Sequence, residues 1–542
     1  MWQTASIIVR EEFMSHWRRV AAGLLSAVAI AAATASACAQ EPTRGGTLIF
    51  GINSGDPPTY DCHQSALFPI IHLLTPHYSN LLKIDTVHYP KLIGDLATSW
   101  TVADDARTYT FKLHANVKFH DGSPFSSEDV KASYDRIRNP PQGVVSVRQG
   151  LVADIDTIET PDPLTVIFRL KRPNRALIYA FGNPFNCIYS AAKLKENPTF
   201  PSRNVLGTGP FRLVEHVAGS HWQGERFKDY FKPGLPYLDG FRGAFTQGAA
   251  LINALQGGQI MADFRSVTAN DRERLTSALG NKVVAYESPW LNALLVTFNT
   301  TKKPFEDPRV RRALSLAIDR WKAAEILPRS SIMRYVGGYL RPGYELAARE
   351  EDLVQMPGFG HDIVAARAEA RRLLAEAGVT NLKVRLVNRT VSNLYVPGGI
   401  YVIDQWRQIG VETEHIQANE TLYNNSMNDG TFDVALDFQG DSIDEPTYQL
   451  TRHLSVDISA NRGKYIDREL DKLFELQAAE TNPVKRYALL RQFETRMLTE
   501  AYTVPLLWWR RIIVMSSRIQ GWGMTPSHLI GQDLETVWLK PQ

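Results

Sequence analysis

Between residues 362 and 411 the sequence twice runs helix, glycine, strand, and this series restricts the fold more than any other feature. Asp362 is placed to cap an Ala- and Arg-rich helix that Gly378 stops ahead of an apolar strand, Leu382 to Val387. Ile400, Ile403 and Trp406 then line a second helix, which Gly410 stops before Val411. Two such units in series must lay helices on a sheet, so they predict an α/β lobe. The alternation extends across the chain. Thr47-Leu48-Ile49-Phe50-Gly51 reads as a first strand, and Tyr109, Phe111 and Leu113, like Leu164, Val166, Phe168 and Leu170, alternate with other residues so that one face of each set meets a core. Ser126 stands three residues before Asp129 as a capping pair for a helix carrying Val130, Tyr134 and Ile137. Asp307-Pro308 opens another, whose stripe is expected to run through Val310, Leu314, Ala317, Ile318 and Trp321.

With 542 residues, 44% of them hydrophobic, the chain can build cores for about two to four domains. Sixty Lys and Arg against 57 Asp and Glu leave a formal charge of +3 with no run of like charge, which argues against a nucleic-acid or acidic-membrane surface. The first 40 residues differ from the rest. Arg18 and Arg19 precede a charge-free stretch from Val20 to Ala35 and then small residues, the pattern of a secretory leader over 1–39, with Met14 a plausible true start. Ala37 and Ala39 satisfy the small-x-small rule for cleavage before Gln40. The competing site would leave Cys38 first and lipid-anchored, but Ala35 occupies the place where Leu is usual. After cleavage only Cys62 and Cys187 remain, and one disulfide between them is open in an oxidising compartment. No further apolar run reaches the roughly 18 residues of a membrane span.

An exported α/β chain of this size could be a hydrolase, yet the sequence holds no Gly-x-Ser-x-Gly, His-Glu-x-x-His, Cys-x-x-Cys or phosphate-loop pattern. Gly207-Thr208-Gly209-Pro210 reads as a turn, because Pro210 lacks the N–H a phosphate cradle uses. His72 and His77 lack a companion ligand for a metal, and His120-Asp121 belongs to the Asp121-Gly122 turn. No catalytic residue, cofactor or metal is expected.

The order of segments resembles the extracellular solute-binding proteins of family 5, which deliver di- and oligopeptides, nickel chelates, opines or haem to ATP-binding-cassette (ABC) importers. The resemblance rests most on Leu96-Ala97-Thr98-Ser99-Trp100, Thr108 to Leu113, Val117 to Phe125 and Glu128-Asp129-Val130. It continues through Gly207 to Phe211, Tyr237-Leu238-Asp239-Gly240, Phe298-Asn299, Pro304 to Arg311, Ala317 to Arg320, Leu373 to Gly378 and Val504-Pro505-Leu506. It implies a two-lobed periplasmic-binding-protein type II fold, α/β throughout, with an extra α/β subdomain in the first lobe. The expected division is 40–69, 200–289 and 501–542 for the sheet domain of lobe 1, 70–199 for the subdomain and 290–500 for lobe 2. Crossings near Trp290 to Phe298 and before Leu506 would make a hinge, and periplasmic binding proteins are a standing example of closure about such hinges.

The implied function is capture of a peptide or peptide-like small solute by a monomeric periplasmic clamp that passes it to ABC permease subunits. The alternatives are a secreted hydrolase or the same clamp serving a chemosensory receptor. In similar proteins a carboxylate after a strand ending in an aromatic residue anchors the ligand ammonium. Here Asp433 to Phe438 leads to Gln439-Gly440-Asp441, which makes Asp441 the expected anchor and leaves Asp444 as a rival. Backbone groups of Asp437 and Gln439 would pair with an extended ligand beside Phe438. Trp290, Trp508 and Trp509 at the crossings, and Phe68, are expected to offer flat surfaces to it, with strand alternation sending one of the Trp508–Trp509 pair into a core.

Overall fold

In the computed structural model residues 41–455 and 461–541 are described. The leader reading, its cleavage sites and the Cys38 alternative lie outside them. The helices form where sequence places their caps. Asp129 Oδ2 accepts the Ser126 N–H at 2.7 Å at the start of Ser127–Arg138, whose Val130, Tyr134 and Ile137 are fully buried. Asp362 accepts from Ala365 N at 2.9 Å to begin Ile363–Glu376, and Gly378 and Gly410, with φ of +68° and +82°, end their helices as left-handed residues.

Leu164 stands before the strand Thr165–Leu170 and is 37% exposed, so it does not share the core face of Val166, Phe168 and Leu170. Two further local expectations fail for identifiable reasons. The helix from Pro308 ends at Leu316, because Asp319 accepts from Lys322 N at 2.8 Å and caps a new helix, Arg320–Ile326. Trp321 belongs to that second helix and donates to Phe359 O. In Tyr395–Arg407 the buried face is Tyr395, Gly398, Tyr401, Val402, Gln405 and Trp406, which turns Ile400 to the surface at 58% exposure.

Three sheets of four or more strands organise the rest. Thr47–Ile52, Gly240–Phe245, His221–Arg226 and Phe211–Val217 lie side by side in that order, the first pair parallel. Ala97–Val102, Thr108–Leu113, Thr165–Leu170 and Ile155–Asp162 form an antiparallel sheet over a core of Tyr109, Phe111, Tyr134, Phe168 and Phe181. The six-stranded sheet runs Met333–Tyr335, Thr503–Ser516, Val283–Phe298, Val434–Gly440, Lys383–Arg389, Glu412–Ala418. Its last three strands are mutually parallel, as the two helix-glycine-strand units require.

Val283–Phe298 and Thr503–Ser516 belong to both halves of the molecule. Their outer parts, Val283 to Pro289 against Arg510 to Ser516, pack on the first-lobe cores through Ile512, Ile513, Val514 and Met515. Their inner parts, Ala293 to Thr297 against Thr503 to Trp508, pack in the large second-lobe core with Leu294, Val296, Val504 and Leu506. Between them the ladder breaks, Trp290, Leu291 and Asn292 standing opposite Trp509 alone.

The sequence motifs set aside as structural have structural partners. A side chain on Gly207 or Gly209 would meet the His77 backbone at 2.1 or 2.4 Å, so these glycines permit a close chain crossing. His77 donates from Nδ1 to Phe211 O at 2.7 Å and accepts the Trp222 indole N–H at Nε2 at 2.9 Å. Cys62 and Cys187 are joined in a disulfide with Cα atoms 6.2 Å apart.

Candidate functional site

A cavity of about 640 Å³ opens at the ladder break. One wall is first-lobe, with Asn53, the helix Gly248–Gln256, and the segment Arg265 to Thr268 that leads into the helix Ala269–Leu279. The other is second-lobe, with Ile332, Arg389 at the end of its strand, Val391 to Tyr395, Glu420 and Phe438. Trp290, Asn292 and Trp509, on the crossing strands, close its back.

Strand alternation decides which aromatics face it. Trp509, Trp290 and Phe438 make one wall: the two indoles meet edge to face at 5.7 Å between centroids, and Phe438 lies 6.2 Å from Trp509. The Trp290 indole N–H donates to His528 Nδ1 at 3.2 Å. Trp509 is 6% exposed and its indole N–H has no partner among the described residues. Trp508 points the other way, packs with Ala293 and Leu295 and donates to Gly338 O at 2.9 Å.

The remaining expected contacts are divided between that opposite face and the seam between lobes. Gln439 is buried, its amide meeting the Tyr339 carbonyl and His453 Nε2. Asp437 accepts from Arg452 at 3.0 Å, and its backbone pairs with Leu295. Asp444 is committed to Arg341 at 2.7 Å and to Gln449. Asp441 is half-buried and outside the cavity lining. Burial pushes its carboxyl above the usual range, against the opposing pull of the Ser442 donors and Arg148. It begins a segment that touches the first lobe, where Ser442 Oγ accepts from Asn183 at 3.1 Å, Ile443 packs with Ile84 and Ile530, and Tyr448 donates to Ala176 O. Phe68 lies behind the cavity with the Arg265 guanidinium 4.3 Å above its ring.

The charged lining is three arginines, Arg265, Arg274 and Arg389, against Asp271 and Glu420. Asp271 is occupied by the Thr268 cap, and Glu420 lies 3.5 Å from Arg389 with its side chain two-thirds exposed. Arg389 donates to Tyr395 Oη at 2.6 Å and sits over the Tyr395, Tyr423 and Phe438 rings. Arg274 donates to Gln256 and Asn253. The Arg265 side chain has no hydrogen bond or ion pair among the described residues, and burial holds its guanidinium below the usual range. Its backbone is fixed by the fully buried Arg511, which donates to the Phe264, Arg265 and Thr525 carbonyls.

Residue-level reading of the sequence did not single out Arg265 or Arg389. Arg389 had a usable signal, since it ends a parallel strand whose fold class binds ligands at strand carboxyl ends. Arg265 follows isolated bridges at Ala262 and carries no motif.

Behind Arg265, Asp263 is 1% exposed, and desolvation pushes its carboxyl up to about 6. Its folded pKa lies above the unfolded one, so its ionisation destabilises the fold as pH rises from about 4 through 6. Asp263→Asn is therefore expected to stabilise the protein at neutral pH by up to about 3 kcal/mol, a gain that vanishes below about pH 4. Urea titrations at the two pH values check this, and a variant weaker than the parent at neutral pH would reject it.

The model of the bacterial extracellular solute-binding proteins, family 5 (middle), matches residues 91–461. A glutathione-binding protein of Pectobacterium atrosepticum is 32% identical over 297 residues, 54% of either chain, so this chain aligns with about half the length of that curated relative. Among solved structures, the PBP AgaA from A. tumefaciens R10 in complex with agropinic acid superposes with a TM-score of 0.76 at 24% identity, covering 92% of this chain and 99% of that one. The periplasmic binding protein DppA from Helicobacter pylori, in complex with the peptide STSA, superposes with a TM-score of 0.77 at 21% identity, covering 92% and 99%. These likenesses bear on fold: both neighbours share the two-lobed α/β architecture.

Proposed function

Because the chain belongs to the bacterial extracellular solute-binding proteins of family 5, we propose that it captures a peptide or peptide-like solute between its lobes in the periplasm and delivers it to an ABC permease. The observation that carries this reading is the place of the cavity, at the break between Pro289 and Ala293 in the two strands shared by the lobes. A solute there touches both halves at once, so its binding energy favours the closed arrangement over the open one. The aromatic wall of Trp290, Trp509 and Phe438 supplies apolar area of the kind such pockets use, and the volume suits a molecule of a few residues. A glutathione-binding relative and a peptide-bound neighbour support a solute of that size.

The segment from Asp441 to Tyr448 touches the first lobe away from the cavity, which suits a role in holding the closed form. The test is a thermal-shift panel of small peptides, glutathione and opines, followed by small-angle scattering with the best ligand. Binding at about a hundredfold excess over Kd should stabilise the protein by roughly 2.7 kcal/mol and shrink its radius of gyration. A ligand that binds tightly with no change in scattering would reject the clamp.

A further inference from the structure

We propose that the solute is an acid, and that its carboxylate is gripped from the first lobe by Arg265, with Arg389 of the second lobe completing the site. The inference rests on the clamp reading above and names its ligand class.

Two arginines on opposite walls of the cavity carry it. Arg265 lines the cavity with a guanidinium that no acid neutralises within ion-pair distance, although its Nε is buried. A half-buried cation without an ion-pair partner is costly, and it is held here by Phe68 beneath it and by Arg511, which fixes the backbone that carries it. Trp509 lines the same cavity beside it, with its indole N–H buried in the wall. Arg389 lines the cavity from the opposite lobe, and its guanidinium is met at 3.5 Å by a Glu420 whose side chain is largely in solvent and at 3.9 Å by Asp437, which Arg452 holds at 3.0 Å.

An oxyanion placed between the two guanidiniums would partner both, and a planar carboxylate matches the arginine fork. A bare inorganic anion would leave most of the 640 Å³ and the aromatic wall unused, so the acid belongs to an organic solute. The cavity offers an ammonium group nothing equivalent. Asp271 is held by the Thr268 cap, Glu420 lies beside Arg389, and Asp441 is outside the lining. Without the acid, arginines on opposite walls repel across the gap; with it, the same charges draw the lobes together.

The test measures Kd by titration calorimetry for glutathione, agropinic acid and trialanine, and for trialanine amide and N-acetyl-trialanine, on the full chain and on Arg265→Gln and Arg265→Lys. The expected pattern has at least one free acid binding, trialanine amide about tenfold or more weaker than any trialanine binding, and N-acetylation tolerated. Arg265→Gln should lose about tenfold or more for the acid, and Arg265→Lys should recover part of it. Arg265 has no hydrogen bond or ion pair to lose, only its stacking on Phe68 and the longer-range attraction of Asp263, so a small change in the melting temperature of the unliganded variants beside a tenfold loss of affinity separates a binding role from a folding one. An amide bound as tightly as the acid, an acid indifferent to Arg265→Gln, or a co-purified solute without an acidic group in native mass spectrometry would overturn the proposal while leaving the clamp in place. Should Asp441→Ala, and not Arg265→Gln, abolish binding, the amine would be the recognised end and the proposal would fall. No binding by any acid also overturns it, and no binding by any solute takes the clamp reading with it.

Discussion

On lowering the pH from about 7.5 to about 5, the protein is expected to lose on the order of 5 kcal/mol of unfolding free energy. His63, His72, His77 and His453 are each at most 1% exposed. Desolvation depresses His72 and His77 to about 3 and His63 to about 4, and takes His453 well below its ordinary value. Hydrogen bonding enforces the neutral ring. Nε2 of His77 accepts from Trp222, and Nδ1 of His63 accepts from Arg136 at 3.0 Å while its Nε2 faces Cys187 O. A second proton would set a donor against a donor. The unfolded chain binds these protons from about pH 6.5 downward and the folded chain does not, so the stability they contribute is present above 6.5 and is lost as pH falls. Asp263 works in the opposite sense below about pH 6 and recovers part of the loss. Urea midpoints across this range decide the matter, and a flat profile would exclude it.

Replacing both Cys62 and Cys187 by Ala should cost about 5 kcal/mol, the loop-closure entropy of a cross-link spanning 125 residues. The bridge ties the segment after Thr47–Ile52 to the chain that leaves the antiparallel sheet, and both sulfurs are buried. Next to it Asp61 accepts from Arg136 and from Tyr189 Oη at 3.1 Å, so the broken bridge would loosen a buried ion pair as well. None of these residues lines the cavity, so ligand affinity at saturating stability should hold while the urea midpoint falls. An unchanged midpoint in the double variant, or in the parent under strong reductant, would show that the bridge contributes nothing.

The parts of the fold readable in advance were those written in local chemistry. Caps at Ser126, Asp307 and Asp362 and stops at Gly378 and Gly410 each act within one turn, and each appears in the structure. The errors arose where periodicity alone was extended. The stripe to Trp321 ran through a cap at Asp319, and Ile400 was counted with a face that the tyrosines and Trp406 occupy. The site was less legible because its members come from distant segments. Trp290, Trp509 and Phe438 could be anticipated from the family resemblance, which implies aromatic residues at the crossings and at the end of that strand, and they line the cavity together. Arg265 could not, since what distinguishes it is a side chain in the cavity lining without an ion pair or hydrogen bond among the described residues, a property of three-dimensional surroundings. Asp441 illustrates the reverse: a turn carboxylate beside glycine, set by the fold at a seam between lobes.

The ladder break has a mechanical consequence. Two neighbouring strands, zipped together above and below a short gap, let the halves swing about one axis but resist sliding or twisting, because either would tear rungs on both sides. In the proposed clamp a thicker guest would stop the swing sooner. Cargo size would thereby be converted into an angle, and a membrane protein that had to touch both outer rims at once could tell a well-fitted load from an empty or overfilled one without meeting the cargo itself.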